Sequence, residues 1–374
     1  MLPFDRHDRR VALVAALVGV GIVLVSLLSH GGDIAGLIKF GSGGHVVERT
    51  AHVEELLGRE VATVDELGHD GSMYFLQAVD PFFLDPDEHA VHLDRPVYRA
   101  QRMLFPTIAG LGGLVPPEPL LWTMALTNIA AIVLGSVGTS RLARRLGGSP
   151  WFGLAFALNP GILFEFDISG AGILAFAAAI WGTLALDDGR DRSAAAWFAA
   201  AVLAREVMFL YLAGVLLLRL WRTRRIPWLA GAVPAAAAGA WALYIRTRLE
   251  SHPGVEEVQE FGLPFKGMIG ASENWFANPD EMAVIAGVLI VIPVFVVKVI
   301  RNPSSLDAGA LGFVVLALLL SRQVWWQFVD ITRALAPIFT AYVLTAFARP
   351  STPPTAGPGV SESPDTHPVA AATA

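Results

Sequence analysis

Long apolar runs recur along this chain, with short clusters of arginine between them. The first, "VALVAALVGVGIVLVSLLS" (Val11–Ser29), follows Arg6, Arg9 and Arg10. A helix needs about 20 mostly apolar residues to cross the hydrocarbon core of a bilayer. In that solvent every backbone N–H and C=O must be satisfied within the protein, so runs of this kind are restricted to helices. Composition agrees: 54% of the 374 residues are hydrophobic, 16% are charged, and the mean hydropathy is +0.54. These values place the chain in the all-α, polytopic integral membrane class. The formal charge of -6 is spread along the chain and no basic domain stands out, so nucleic acid is not an expected partner. With no cysteine there can be no disulfide, thiolate metal site or cysteine nucleophile.

A cleaved signal peptide is the alternative reading of the first run. It would carry an apolar region of roughly 7–15 residues and a small-x-small cleavage site, and neither description fits. Residues 1–10 are therefore expected to be a cytoplasmic N-terminus and Val11–Ser29 a retained first helix. The clear later runs are Leu120–Ser140, Trp151–Phe166, Gly170–Leu186, Pro227–Ile245, Met282–Ile300, Leu306–Leu320 and Ala334–Phe347. Cytoplasmic loops collect Lys and Arg. "RLARR" (Arg141–Arg145), "DDGRDR" (Asp187–Arg192), "RTRR" (Arg222–Arg225), "KVIR" (Lys298–Arg301) and Arg349 should then share one side.

Two stretches test that rule. Ser193–Trp221 is too long for one ordinary span; two short helices turning near Arg205–Glu206 keep both flanking basic clusters inside. "MLFPTIAGLGGLVPPEP" (Met103–Pro119) is short and broken by Pro106, three glycines and Pro116–Pro117. Read as a re-entrant or interfacial element, it returns to the side it came from. The result is roughly ten transmembrane helices, both termini cytoplasmic, across residues 11–348. A long first extracytoplasmic loop, residues 30–119, carries amphipathic and re-entrant helices. Residues 349–374, rich in Pro, Ser, Thr and Ala, are expected to be a disordered cytoplasmic tail.

This threading gathers the remaining polar residues at the outer face. Contact with water accounts for the Glu-rich stretches Glu54–Glu66 and Glu256–Glu260. It accounts less well for ionisable groups in or beside apolar runs: Asp167, Arg205, Glu206, Asp330 and Arg333. Such groups cost roughly 2.5–3.5 kcal/mol each on insertion scales and usually face a cavity or a partner. Arg205 and Glu206 are adjacent and cannot pair on one helix face, so each needs a partner elsewhere.

The densest polar text is "GHDGSMYFLQAVDPFF" (Gly68–Phe83) followed by "LDRPVYRAQRMLFP". Around Asp70 stand His69, Ser72 and Tyr74, at a turn leading into an amphipathic run. Met73, Leu76 and Phe83 would face the membrane while Gln77 and Asp80 stay polar. Pro81 should end that helix at Asp80, because the residue before proline disfavours the α conformation. Asp94, Arg95, Tyr98, Arg99, Gln101 and Arg102 follow. A carboxylate among arginines suits transfer from a phosphate-linked donor. The carboxylate serves as general base, and the arginines hold the phosphate and the charge growing on the leaving group. Structural ion pairs are the alternative. His69 with Asp70, or Asp85, Asp87, His89 and His92, could ligate a divalent cation, although the spacing fits no metal motif. No G-x-S-x-G elbow occurs beside a plausible histidine.

"HDGSMYFLQAVDP" and "LDRPVYRAQRMLFPTIAGL" resemble the D-G-x-x-Y-x-x-A-x-D-P…L-D-x-P-x-Y-R-x-Q-R-x-x-x-P pattern of bacterial cell-surface glycopolymer formation proteins. These are polytopic relatives of GT-C glycosyltransferases and are distantly similar to PIG-V-type mannosyltransferases. "NPGILFEFDISGAGILAFAAAIWG", "AVLAREVMFLYLAGVLL", "YIRTRLE…FGLPFKGMIGA" and "DITRALAPIF" keep the order such proteins show, so the resemblance spans most of Val11–Ala348.

It implies a GT-C-like fold and an inverting transfer of sugar from a polyprenyl-phosphate donor to an extracytoplasmic glycan, lipid or protein acceptor. Asp70 falls on the family's loop aspartate, and Tyr98, Arg99, Gln101 and Arg102 on its Y-R-x-Q-R element. His69 stands where Trp or Tyr is common and Ser72 where Gln is common, which bears on acceptor or sugar preference. On this reading Asp70 is the base, and Arg99 and Arg102, with Arg322 or Arg333, hold the donor phosphate. His69, Tyr74, Asp80, Asp167, Arg205, Glu206 and Asp330 support them, and Lys266 in "FGLPFKG" (Phe261–Gly267) lies near phosphate. Trp275, Trp325 and Trp326 either stack on sugars or sit in the interfacial belt. A lipid-linked glycan transporter or a scaffold of a glycan-assembly complex is the non-enzymatic alternative. A transporter would distribute its polar residues through the bilayer midplane.

Overall fold

A computed structural model describes residues 4–64, 67–252 and 261–347; the expected tail, 349–374, and the Glu256–Glu260 stretch lie outside them. The described residues are helical, joined by two isolated bridges, Phe40 to Thr63 and Phe261 to Leu320.

Helix α1 (Arg6–Ser29) opens on a capping box: Asp5 accepts from the Asp8 amide and Asp8 from that of Asp5. Five short helices follow in the first loop: α2 (Val47–Leu57), α3 (Asp70–Val79), α4 (Pro86–His89), α5 (Pro96–Arg99) and α6 (Leu104–Ala109). Prolines open α4 and α5, where the missing N–H is not needed. α3 departs from the amphipathic expectation. Every residue from Gly71 to Ala78 is buried, Gln77 included, because α6, the later helix Pro117–Arg145 and the backbone at Ile38 and Ile168 close around the helix. It ends at Val79, as Pro81 requires.

After α6 the chain turns at Leu111, Gly112 and Gly113, all with positive φ, and Gly113 lies close to Val79 and Pro81. The Met103–Pro119 element thus stays beside α3. Helix α7 (Pro117–Arg145) then runs the length of the molecule against α1.

The expected single helix Trp151–Phe166 is instead broken. α8 (Leu154–Ala157) and α9 (Pro160–Asp167) are separated at Leu158–Asn159. Pro160 has no N–H to give the preceding turn. Asn159 takes over as cap: it accepts from the Gly161 amide and donates to the Ala336 carbonyl and the Thr340 hydroxyl.

α10 (Gly172–Asp187) is apolar and buried all round, and packs on α7 and α11 (Asp191–Ala204). α12 (Met208–Thr223) begins after a break at Arg205–Val207. Asp187 at the end of α10 accepts from Ser305, and Arg222 at the end of α12 donates to the Pro303 carbonyl. The start of α11 and the end of α12 therefore lie together, and the chain reverses at Arg205–Val207 as a helical hairpin. α13 (Trp228–Leu249), α14 (Lys266–Ala277), α15 (Pro279–Arg301), α16 (Ser305–Leu319), α17 (Arg322–Trp326), α18 (Phe328–Ala334) and α19 (Ala336–Phe347) complete the chain.

Four helices, α1, α7, α13 and α15, are long and apolar enough to cross a membrane, or five if α18 and α19, bent by 65°, count as one. α10 and α16 are apolar but shorter. Ion pairs tie one end of the bundle together. Arg141 and Arg144 from α7 clasp Asp8, whose side chain is 1% exposed, and Arg145 pairs with Asp188. At the opposite end the first loop meets α9, the α11–α12 turn, α13 and α18.

Candidate functional site

A cavity of about 430 Å³ opens at that loop end. Its charged wall comes from six segments distant in sequence. α3 supplies Asp70 at its first position; α5 and the residues around it supply Asp94, Arg95, Arg99 and Arg102; α2 supplies Arg49. α9 supplies Glu165, the hairpin turn Arg205 and Glu206, and α18 Asp330 and Arg333. The facing wall is apolar, built from Phe176, Met208, Phe313, Leu316, Leu320 and Val324.

The ion pairs form a chain. Arg99 forks onto Asp94 through Nε and Nη2 (2.9 and 2.8 Å) and reaches Asp70 Oδ1 through Nη1 at 2.8 Å. Asp70 Oδ2 accepts from Arg333 Nη2 at 3.2 Å. Arg333 continues to Glu165 (2.7 Å) and Asp330 (3.0 Å), and Glu165 also meets Arg205 at 3.4 Å. Arg102 binds Glu206 through Nε and Nη2 (3.0 and 2.8 Å) and donates to the Tyr98 hydroxyl. Fork geometry of this kind makes arginine the usual partner of carboxylate and phosphate.

Burial would raise the pKa of Asp70, but the guanidinium groups of Arg99 and Arg333, with Arg102 and Arg205 nearby, override it. They hold the carboxyl well below the usual carboxylate range. Asp94 is likewise lowered against its own burial, by Arg99. Asp70 is thus ionised at any physiological pH. Each of its oxygens carries one guanidinium and has room for one further hydrogen bond.

Asp70, His69, Tyr98, Arg99, Arg102, Arg205, Glu206, Asp330 and Arg333 all line this one cavity. The remaining sequence candidates do not. Tyr74 is buried behind the wall, edge-on to Phe105. Asp80 accepts from the amides of Leu84 and Asp85 and shapes the turn after α3. Asp167 pairs with Lys39 and is 47% exposed, since it projects from the far side of α9. Gln101 is half-buried and Lys266 exposed, both outside the cavity. Arg322 pairs on the surface with Glu273 and covers Trp326. Trp275 and Trp325 do not line the cavity. They are buried against each other between α14 and α17, each indole N–H on a backbone carbonyl.

Two charged residues of the cavity, Glu165 and Arg49, were missed. Glu165 lies in "FEFD", two positions before Asp167 and deeper in the apolar text. A charge there is the costlier one, and therefore the better signal of a cavity. Arg49 lay in loop text where nothing distinguished it from a solvated charge. The acid/histidine stretch 85–94 does not converge either: Asp87 meets His252, His89 meets His52, and Asp94 meets Arg99. Among the described residues no group of three or more His, Asp or Glu is arranged to hold a metal ion.

With helices, cavity and ion pairs in view, the described residues define a helical protein with several helices long and apolar enough to cross a membrane and a charged cavity at one end. Comparison with family models, with curated proteins and with solved structures found no match.

Proposed function

We propose that the chain is a GT-C-like membrane glycosyltransferase in the cell membrane, crossing the bilayer roughly ten times with both termini cytoplasmic. Its cavity faces the extracytoplasmic side and takes a sugar from a polyprenyl-phosphate donor. The observation that carries this reading is Asp70, an ionised carboxylate held between Arg99 and Arg333 in a cavity whose facing wall is apolar. An amphiphile with a phosphate head and a hydrocarbon tail matches both walls at once.

In this reading an acceptor hydroxyl hydrogen-bonds to Asp70 and attacks the anomeric carbon from the side opposite the phosphate. The new C–O bond forms as the sugar–phosphate bond breaks, which inverts the anomeric configuration. The hydroxyl proton passes to Asp70, and polyprenyl phosphate departs with the bonding electrons. Arg99, Arg102 and Arg333 hold its charge, from positions already within reach of one another. The donor phosphate competes with Asp70 for Arg99 and Arg333. Binding of donor therefore raises the basicity of a carboxylate that is a weak base at rest.

The test is transfer by purified protein in nanodiscs supplied with a radiolabelled polyprenyl-phosphate sugar and extracted glycan acceptor. Asp70→Asn should lower the rate by about 10²–10⁴-fold, the usual worth of a general base. Undiminished transfer by a monodisperse Asp70→Asn protein rejects the base. Movement of intact donor across the bilayer without cleavage by the wild type favours the carrier alternative.

A further inference from the structure

Arg49 stands outside the chain of ion pairs. Arg99, Arg102, Arg205 and Arg333 each have a carboxylate within 4.0 Å, whereas Arg49 has none among the described residues. Its side chain reaches from α2 across the loop. Nε donates to the His92 carbonyl at 2.8 Å and Nη1 to the Ser72 hydroxyl at 3.3 Å. Nη2 donates to no described atom. The residue is only 3% exposed, and burial pushes its pKa down to about 10 despite Asp94 and Asp70 nearby. A guanidinium taken out of water without a counter-charge is unfavourable by several kcal/mol. Proteins keep such a group where a ligand supplies the missing anion. Its position says which ligand. Arg49 projects from α2 in the first loop, while the apolar wall suited to a lipid tail is built from α10, α12 and α16–α17.

We propose that Arg49 receives an anionic group on the acceptor, so that the acceptor is an acidic sugar or glycan, carrying a phosphate or a carboxylate, rather than a neutral one. This rests on the glycosyl-transfer reading, because it needs two substrates in one cavity. Arg49 fixes the acceptor by its charge and leaves a hydroxyl to meet Asp70. The fork of Nη1 and Nη2 suits the two oxygens of either anion.

The experiment measures binding to purified full-length protein in nanodiscs, with glucose 6-phosphate, glucuronate and glucose as probes. Either anion should bind and glucose should not, and the tighter anion tells phosphate from carboxylate. Arg49→Gln should weaken anion binding by at least about tenfold, in line with loss of a charge-assisted hydrogen bond. Arg49→Lys keeps the charge but not the fork, and should weaken it by a smaller factor. Polyprenyl-phosphate binding, measured in parallel, should be the same in wild type and both variants. Anion affinity unchanged in either folded variant overturns the proposal. So does a loss of polyprenyl-phosphate binding equal to the loss of anion binding, which would make Arg49 a donor residue. If the wild type binds the anions through Arg49 but binds no polyprenyl phosphate, the glycosyl-transfer reading fails and the acceptor assignment falls with it, while the anion site stands.

Discussion

Glu165 and Asp167 sit two residues apart on α9, yet differ in every respect that matters for stability. Glu165 is buried and is the shared counter-charge of Arg205 and Arg333; Asp167 faces out to Lys39. Glu165→Gln leaves Arg205 with no carboxylate among the described residues and takes one of three from the buried Arg333; it should cost about 3–5 kcal/mol, the usual effect of breaking a buried pair. Asp167→Asn removes an exposed pair worth at most about 1 kcal/mol. Thermal unfolding in detergent should show a large loss for the first and almost none for the second. Equal losses would put the wrong acid in the network. The pKa of Asp70 gives a second prediction at this scale. It is depressed, so its ion pairs stabilise the fold above the unfolded value near 4 and lose that effect only as pH falls further. For the free protein, kcat/KM should then show no acid limb from Asp70 between about pH 5 and 7. A limb in that range that persists in His52→Gln, where the loop histidines no longer crowd, contradicts the pairing. Most cavity residues were readable because a charge in apolar text announces itself. Asp80 and Arg322 lie outside the cavity because such charges find partners that spacing does not reveal, and Lys266 is exposed.

Among the elements, α12 and α16 meet where their backbones can approach closely: a Cβ on Gly214 would overlap the Ala308 carbonyl oxygen. Small residues serve this purpose at helix contacts in membranes. Gly214→Ala should push α12 from α16, disturb the apolar wall and cost about 1–3 kcal/mol. Gly287→Ala on α15 meets nothing within 4 Å, and should be neutral or gain up to about 1 kcal/mol from helix propensity. Thermal midpoints of the two variants check the contrast, and a tolerated Gly214→Ala would mean the contact is loose. In the first loop, His52 on α2 packs on His89 and stacks on His92, 4.2 Å between ring centres. Burial, then a neighbouring histidine (His89 at His52, His52 at His92), lowers the pKa of His52 and His92, with Glu55, Glu88 and Glu48 opposing and His89 and Arg49 adding to the effect at His92. The sign follows: stability is full above the unfolded value of about 6.5 and falls as pH drops through the lower folded values. The thermal midpoint should fall from pH 7.5 to pH 5.5, less so in His52→Gln. The long helices were legible because apolar length is a direct requirement of the bilayer. The break at Asn159–Pro160 was missed despite its proline, because hydropathy alone ran through it. The burial of α3 on every side depends on contacts with α6 and the loop that no local pattern encodes.

For the whole molecule, the distribution of charge is the feature that links sequence to orientation. Arg141, Arg144, Arg145, Arg190 and Arg222 gather at one end, and the acidic and basic residues of the cavity at the other. The two sets are held differently. At the basic end the arginines cap helix ends and neighbouring acids, which fixes the packing of α1 on α7. At the cavity end they bridge helices remote in sequence. Arg333 alone joins α18 to α9 and α3, so closing the cavity and assembling the bundle are one process. A membrane makes this separation a statement about sidedness, since the basic end should stay in the cytoplasm. The chain has no cysteine, so single introduced cysteines report it without a background. Glu60 and Arg225 are exposed, the first in the loop before α3 and the second between α12 and α13. In intact cells a membrane-impermeant maleimide should label Glu60→Cys and spare Arg225→Cys until the membrane is permeabilised. The reverse pattern would turn the cavity toward the cytoplasm, where soluble nucleotide sugars become the available donors and the apolar wall loses its explanation. Labelling of both sites in intact cells would mean that the hairpin at Arg205–Val207 does not cross back, since Glu60 and Arg225 would then share a side.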